Sequence, residues 1–211
     1  EVALGLRYDH EDRVANGSVV TALGPLGESG GPLPEARIKS DEFQPKLTLK
    51  RNWSPDFMTY ASVARGYRGG GFNAPTAPTR TYRGDSAWTY ELGAKYALPN
   101  GRGSLAGAVF YNDYTDYIGL NSIAPAEGGG LVTVDLNSGD VESYGVELEG
   151  SYSRASGFYT DVNANFSRGM DTTPGAGGNW AGTPADQLRV TVGKRWGEEY
   201  DSSWEAVYDF A

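Results

Sequence analysis

The first ten residues alternate without a break. Val2, Leu4, Leu6 and Tyr8 fall on one side of an extended chain, and Ala3, Gly5, Arg7 and Asp9 on the other. A period of two sustained over that length predicts a β-strand with one apolar and one polar face. The same signature recurs at 88–98, where Trp88, Tyr90, Leu92, Ala94, Tyr96 and Leu98 oppose Thr89, Glu91, Gly93, Lys95 and Ala97. Residues 143–153 separate Tyr144, Val146, Leu148 and Tyr152 from Glu147, Glu149, Ser151 and Ser153. Residues 157–167 set Phe158, Thr160, Val162, Ala164 and Phe166 against Tyr159, Asp161, Asn163 and Asn165. In 187–196, Leu188, Val190 and Val192 oppose Gln187, Arg189, Thr191 and Arg195, and 203–211 carries Trp204, Ala206, Tyr208 and Phe210 in one phase. Residues 43–52 add Leu47 and Leu49 against Gln44, Lys46, Thr48 and Lys50, while 57–67 and 104–116 are expected strands with mixed faces. Nine strands are expected, with no helical period.

The connections alternate in length. Short turns at 52–56, 99–102, 154–157 and 197–202 are interleaved with long segments at 11–41, 68–87, 117–141 and 168–186. This predicts an all-β, antiparallel up-and-down sheet with every long loop at one end, the asymmetry of outer-membrane barrels. A strand of about 11 residues, rising about 3.3 Å per residue and tilted about 45°, climbs about 25 Å, the height of the apolar band of such barrels. Trp53, Trp196 and Trp204 lie beside short turns and Trp88 and Trp180 on the long-loop side, as interfacial aromatic girdles require.

Composition narrows the chemistry. The chain has 211 residues, 18 Lys+Arg against 27 Asp+Glu for a net charge of -9, 30 Gly, one His and no Cys. Without cysteine there is no disulfide scaffold, thiolate zinc site or cysteine nucleophile, and a Ser-His-Asp triad would depend on His10. The pI near 4.6 argues against nucleic acid as a partner. The first residues lack a basic segment followed by an apolar run, so they do not read as a signal peptide. The longest apolar stretch, 105–111, is seven residues, far short of the roughly 20 a membrane helix needs. A mean hydropathy of -0.48 suggests a soluble acidic domain until it is divided by strand face, when it becomes an apolar exterior averaged with a polar interior and hydrophilic loops.

The stretch PKLTLKRNWSPDFMTYASVARGYRGGGFNAP (45–75), followed by WTYELGAKYAL (88–98), LAGAVFYNDYTDYI (105–118) and SYGVELEGSY (143–152), with RYDHE near the start, resembles the barrel of TonB-dependent outer-membrane receptors. There a strand like Y-A-S-x-A-R-G-Y-R runs into a Gly/Asn/Pro-rich external loop and is followed by a Y-E-L-G-x-K strand. The resemblance implies a transmembrane β-barrel of 22 strands in the bacterial outer membrane, of which residues 1–211 form a partial barrel domain without the plug. It implies active uptake of a scarce nutrient, a ferric siderophore or similar iron complex, with no enzymatic chemistry, cofactor or metal site. The implied partners are the TonB-ExbB-ExbD complex acting through a plug, outer-membrane lipid and lipopolysaccharide, and an extracellular small-molecule ligand. A passive porin and a soluble secreted carbohydrate-binding or hydrolytic β-module are the alternatives; upstream plug sequence would separate the first, and cooperative folding in water the second.

On the receptor reading, Tyr67, Arg68, Phe72, Asn73, Tyr82, Arg83 and Trp180 are the expected ligand contacts, supplying aromatic faces, cations and amides. Lys46, Lys50, Glu91, Lys95, Glu147, Glu149, Asp161, Asn163, Arg189 and Arg195 are expected to face the lumen and plug. Other chemistry is less well supported. Glu147 and Glu149, about 7 Å apart on one strand face, have the spacing of a glycosidase pair but no surrounding pocket motif. Asp9, His10, Glu11 and Asp12 could hold a cation or form a solvated loop base. Asp135, Asn137 and Asp140 imitate a calcium loop, yet Gly139 stands one position early and the closing Glu is missing. Gly66, Gly69, Gly70 and Gly71 precede no helix, so they offer no phosphate cradle; they fit a flexible loop base that approaches other loops.

Overall fold

The computed structural model describes all residues except 23–27, 128, 176–177, 181, 183–185, 197–199 and 211. Its strands are β1 (Val2–Ala15), β2 (Ser18–Ala22), β3 (Glu28–Pro32), β4 (Ala36–Asn52), β5 (Phe57–Arg68), β6 (Gly71–Phe72), β7 (Thr81–Tyr82) and β8 (Asp85–Ala97). They continue with β9 (Gly103–Thr115), β10 (Ile118–Pro125), β11 (Leu131–Asn137), β12 (Val141–Ser153), β13 (Phe158–Asp171), β14 (Gly178–Asn179), β15 (Asp186–Trp196) and β16 (Tyr200–Phe210). Nine of them form one open antiparallel sheet in the order β1-β4-β5-β8-β9-β12-β13-β15-β16, with β14 paired to the end of β13. The pairs β2–β3, β6–β7 and β10–β11 are separate hairpins inside the long connections. The expected nine strands and their neighbour-to-neighbour path are therefore present. The predicted turn at 197–202 falls partly outside the described residues, as does the side chain of Trp196.

The register sorts the faces. Leu49 pairs with Val2 and Leu47 with Leu4, Leu92 with Val109, and Val146 with Val109, so the apolar positions form one continuous surface. Leu4 is 82% exposed and Leu148 47%. The buried apolar residues among those described are Ala36, Ala77, Ile118, Val134 and Val141, all in or beside the long connections. No second layer covers the apolar face among the described residues, which is the arrangement lipid solvates and water does not.

Aromatic side chains bound this surface. On the long-loop side, Tyr90 pairs with Tyr111 and Tyr111 with Tyr144, while Tyr8 pairs with Phe43. The Tyr90 and Tyr111 ring centroids are 6.2 Å apart, and those of Trp88 and Tyr90 6.5 Å. At the short-turn side stand Trp53, Phe57, Tyr96, Tyr152, Phe158 and Trp204, all exposed. Trp53 donates from Nε1 to Thr59 Oγ1 at 2.9 Å and lies 3.9 Å beneath the Arg51 guanidinium. Tyr144 and Tyr152 are eight residues apart on β12, about 20 Å along the membrane normal at about 40° tilt.

Two expectations are corrected. The segment 11–41 is largely not loop: β1 and β4 stay in register from Val2↔Leu49 to Ala15↔Ala36. Beyond Tyr8 the outward positions become His10, Asp12, Lys39 and Arg37, so the hydrophobic period vanishes while the backbone ladder continues. Segment 117–141 likewise contains the β10–β11 hairpin. The mixed faces of β5 and β9 also resolve. Tyr60 and Phe110 point to the polar side, where their rings lie over Gly93 and Gly145, at sites where a Cβ would collide with them. Tyr159 covers Gly193 in the same way.

The β4–β5 ladder runs from Asn52↔Met58 only as far as Lys46↔Ala64. The next residue of β4 is Pro45, which has no N–H to donate. Arg65 spans the resulting gap, donating to Glu42 Oε2 at 2.6 Å and to the Phe43 carbonyl at 2.9 Å.

Candidate functional site

The long connections gather at one end of the sheet and bond to each other. Asp85, the first residue of β8, is only 6% exposed. Arg68 at the end of β5 closes on it with two bonds, Nε to Oδ1 at 3.1 Å and Nη2 to Oδ2. Asp85 Oδ2 also accepts the Ile118 N–H at 2.9 Å, and Arg68 Nη2 reaches the Ile118 carbonyl at 3.1 Å. Ile118 itself is 1% exposed. A carboxylate removed from water this far is tolerated because its charge is matched and its lone pairs are used.

Asn73 performs a similar task between two loops. Its Nδ2 donates to the carbonyls of Thr79 (3.0 Å) and Asp135 (2.9 Å), and its Oδ1 accepts the Asp135 N–H at 2.9 Å. Arg83 donates its N–H to Asn137 Oδ1 (2.9 Å) and its Nη2 to Asp116 Oδ1 (2.8 Å). Asn137 Nδ2 returns bonds to the carbonyls of Arg83 and Asp116 at 3.1 and 2.8 Å. Asp116 sits in the left-handed region at φ 56°, held there by its N–H bond to Asp140 Oδ1 at 3.0 Å. Thr173 Oγ1 accepts the Asp140 N–H at 2.9 Å, which joins the connection after β13 to the same layer.

Close approaches lock the first of these loops. Gly70 gives its carbonyl to Arg13 Nη2, and Gly69 has space only for a hydrogen against Glu11 and Arg13. Gly71 lies under the Tyr82 ring and Gly84 under the Tyr67 ring. Burial pushes the Tyr82 phenol above its usual value, and the Asp135 carboxylate nearby adds to the effect. Phe72 pairs with Thr81 in the β6–β7 hairpin. The glycine-rich segment thus does approach other elements.

Trp180 enters from the connection after β13, its N–H bonded to the Gly169 carbonyl at 3.0 Å. Its ring meets Tyr117 edge-on at 5.0 Å and Tyr114 at 6.3 Å, and Arg68 lies 5.3 Å over Tyr117. The structure therefore joins Arg68 and Trp180 through Tyr117. Asn73 and Arg83 direct their hydrogen-bonding groups to neighbouring loops, while the Tyr67 and Tyr82 rings cover Gly84 and Gly71 and Phe72 sits in the β6–β7 hairpin. Sequence reasoning missed Asp85, Tyr114 and Tyr117, and it read Asn137 only within the run that imitates a calcium loop. The signal for Asp85 was its phase, since it shares the polar side of β8 with Thr89 and Glu91.

All ten expected lumen positions fall on that same polar side by register: Lys46 and Lys50 on β4, Glu91 and Lys95 on β8, Glu147 and Glu149 on β12, Asp161 and Asn163 on β13, and Arg189 and Arg195 on β15. Tyr60 donates its hydroxyl to Glu91 Oε1. Glu147, Glu149, Asn163, Asn165, Gln187 and Arg189 line a cavity of about 360 Å³. The run Asp9–Asp12 is divided between faces. Asp9 and Glu11 point to the polar side, and Asp9 bonds Arg7 and Gln44. His10 and Asp12 point outward, His10 to Asp41 at 2.7 Å and Asp12 to Arg37. No group of three acidic or histidine side chains converges among the described residues. Asp135 Oδ1 accepts the Asn121 N–H at 3.0 Å, so this residue caps a loop.

An open antiparallel sheet, apolar and lipid-compatible on one face between two aromatic rows and polar on the other, is the wall of a transmembrane β-barrel. The chain belongs to the TonB dependent receptor-like, beta-barrel family, which it matches over residues 1–210, and its strands are those of a multi-pass outer-membrane barrel. It is 28% identical over 172 residues to the pesticin receptor of Yersinia pestis and 25% identical over 178 residues to that of Yersinia enterocolitica; each alignment covers 80% of this chain. The chain spans 23% of the length of those receptors. Among solved structures it resembles the ferric yersiniabactin uptake receptor FyuA from Yersinia pestis, with TM-score 0.67, 21% identity, and 97% of this chain and 30% of that one covered. The ferric-catecholate import receptor Fiu from Escherichia coli K12 superposes with TM-score 0.70 at 13% identity, covering 99% of this chain and 31% of that one. At these identities the two structures speak for the fold alone.

Proposed function

We propose that these strands form part of the barrel of a receptor that takes up a ferric siderophore or similar iron complex, driven by the TonB-ExbB-ExbD complex acting on a plug outside residues 1–211. The observation that carries this is the layer of loops above a polar wall. Three connections are bonded into one platform at the outer end, and ten charged or amide side chains line the face below it. A ligand docks on the platform and the upper edge of the polar wall, and the plug fills the barrel against the wall below. The residues assigned to the platform contact are Tyr67, Arg68, Phe72, Asn73, Tyr82, Arg83 and Trp180, with Arg68 and Trp180 the central pair. No covalent step is assigned to any residue, no cofactor is required, and the outward face meets lipid and lipopolysaccharide. The pesticin receptors and the ferric yersiniabactin receptor support the iron-complex assignment by likeness.

The test is import. Cells carrying the full-length receptor should accumulate radiolabelled iron from at least one ferric chelate in a panel, and deletion of the receptor or of TonB should abolish the uptake. Equal accumulation with and without TonB would favour a passive porin and end the proposal.

A further inference from the structure

Below Trp180 the polar wall opens into a cavity of about 430 Å³. Trp180, Tyr114 and Phe110 give it aromatic sides on the long-loop end. Its back wall is a row of hydroxyl and amide groups crossing three strands. Thr89 Oγ1 donates to Asn112 Oδ1 at 2.8 Å, and Asn112 Nδ2 donates to Ser143 Oγ at 3.1 Å. Those donors are thereby used within the wall. Glu91 and Glu147 both line the cavity, and no Lys or Arg does among the described residues. Glu147 forms no hydrogen bond or ion pair among the described residues. Asn165 also lines the cavity.

We propose that this cavity is a subsite for a ring-bearing group that is neutral or cationic and rich in hydrogen-bond donors, such as a hydroxylated aromatic ring carrying an ammonium group. The aromatic sides stack on the ring and attract a cation. The carboxylates accept its N–H and O–H groups and repel an anion at the same position. A volume of about 430 Å³ suits one ring with a short arm, at the small end of ligand pockets, so a larger chelate would place only one such arm here. This subsite rests on the receptor assignment and gives it a charge preference. An arginine from a polypeptide inside the barrel would satisfy the same acceptors, but the cavity lies directly under the ligand-facing platform, and a ligand group is the occupant we assign.

Two catechols of opposite charge provide the probe: dopamine, a cation at neutral pH, and 2,3-dihydroxybenzoate, an anion. Titration calorimetry on the full-length receptor in detergent should show dopamine binding at least tenfold more tightly. Glu147→Gln should reduce that ratio below threefold, Trp180→Ala should weaken both probes at least tenfold, and Trp180→Phe should restore most of the loss. Equal or tighter binding of the anion, an unchanged ratio in Glu147→Gln, or no binding of either probe, as expected if an arginine fills the space, would each overturn the subsite. Ferric-chelate import by the same strains is scored separately. Retained import without the charge preference removes the subsite and leaves the receptor, whereas lost import with the preference intact removes the receptor and leaves the cavity.

Discussion

Arg68 and Asp85 stand at the facing ends of β5 and β8, and their paired bonds fix where the chain leaves the barrel wall for the β10–β11 hairpin. Asp85 also holds the Ile118 N–H at 2.9 Å, so one side chain anchors three elements. Asp85→Asn removes the negative charge and one acceptor. The expected loss is about 2 kcal/mol, the scale of a charge-assisted hydrogen bond, because Arg68 remains partly hydrated. It should be local. Limited proteolysis of the full receptor should cut within 116–140 much faster in the variant, with the membrane-embedded strands unaffected. An unchanged cleavage rate would mean that the aromatic contacts of Tyr117 hold the loop unaided.

Leu148 and Glu149 are consecutive on β12 and face opposite solvents. Leu148 lies between the aromatic rows on the apolar surface, and Glu149 lines the polar wall. Leu148→Arg should cost about 2–4 kcal/mol near the bilayer midplane, and Glu149→Arg far less. Equilibrium denaturation of the barrel in lipid vesicles measures both. Equal penalties would invert the assignment of the two faces.

The strand phases behind that assignment were legible from residue order, because a period of two survives wherever one face meets lipid. The alternation alone places Lys95, Glu147 and Arg189 on one side. The top of β1 and β4 was not legible. There both faces meet water or charge, and His10, Asp12, Lys39 and Arg37 carry no hydrophobic contrast to betray the ladder beneath them. Loop chemistry was legible only as residue type. Asn73 and Arg83 are the side chains a ligand site would use, and they are equally those that join one loop to another. Their partners Asp135, Asp116 and Asn137 lie tens of residues away, at separations that no local pattern records. Tyr60 and Phe110 blurred their strands because an inward aromatic breaks the alternation, and the glycine that accommodates each lies on the neighbouring strand.

Gly145 tests that last relationship. Phe110 lies over it on one side, and the Phe166 carbonyl stands close on the other. Gly145→Val should cost about 1–3 kcal/mol through overpacking and should swing Phe110 into the cavity beneath Trp180. Phe110→Ala in the same chain should recover part of the loss by making room. Thermal denaturation of the single and double variants checks the coupling, and strictly additive losses would show that the ring does not rest on this glycine.

Asp12 supplies a pH dependence outside the membrane. It lies on the projecting part of β1, and the Arg37 guanidinium, followed by Lys39, holds its carboxyl down from 3.8 to about 2. A depressed folded-state value means that the carboxylate's contribution is complete above the unfolded value near 4 and declines as pH falls toward 2. The β1–β4 tip should therefore keep its amide protection, corrected for intrinsic exchange rates, from pH 7 to about 5 and lose some between 4 and 2. Both partners are exposed, so the effect should shrink in high salt. In Arg37→Ala the Asp12 carboxyl should titrate close to its ordinary value, with protection near pH 7 already reduced and little further change on acidification. Carbon chemical shifts of the labelled carboxyl report the titration directly. A titration near 4 in the unaltered protein would show that Arg37 does not pair with Asp12 in solution.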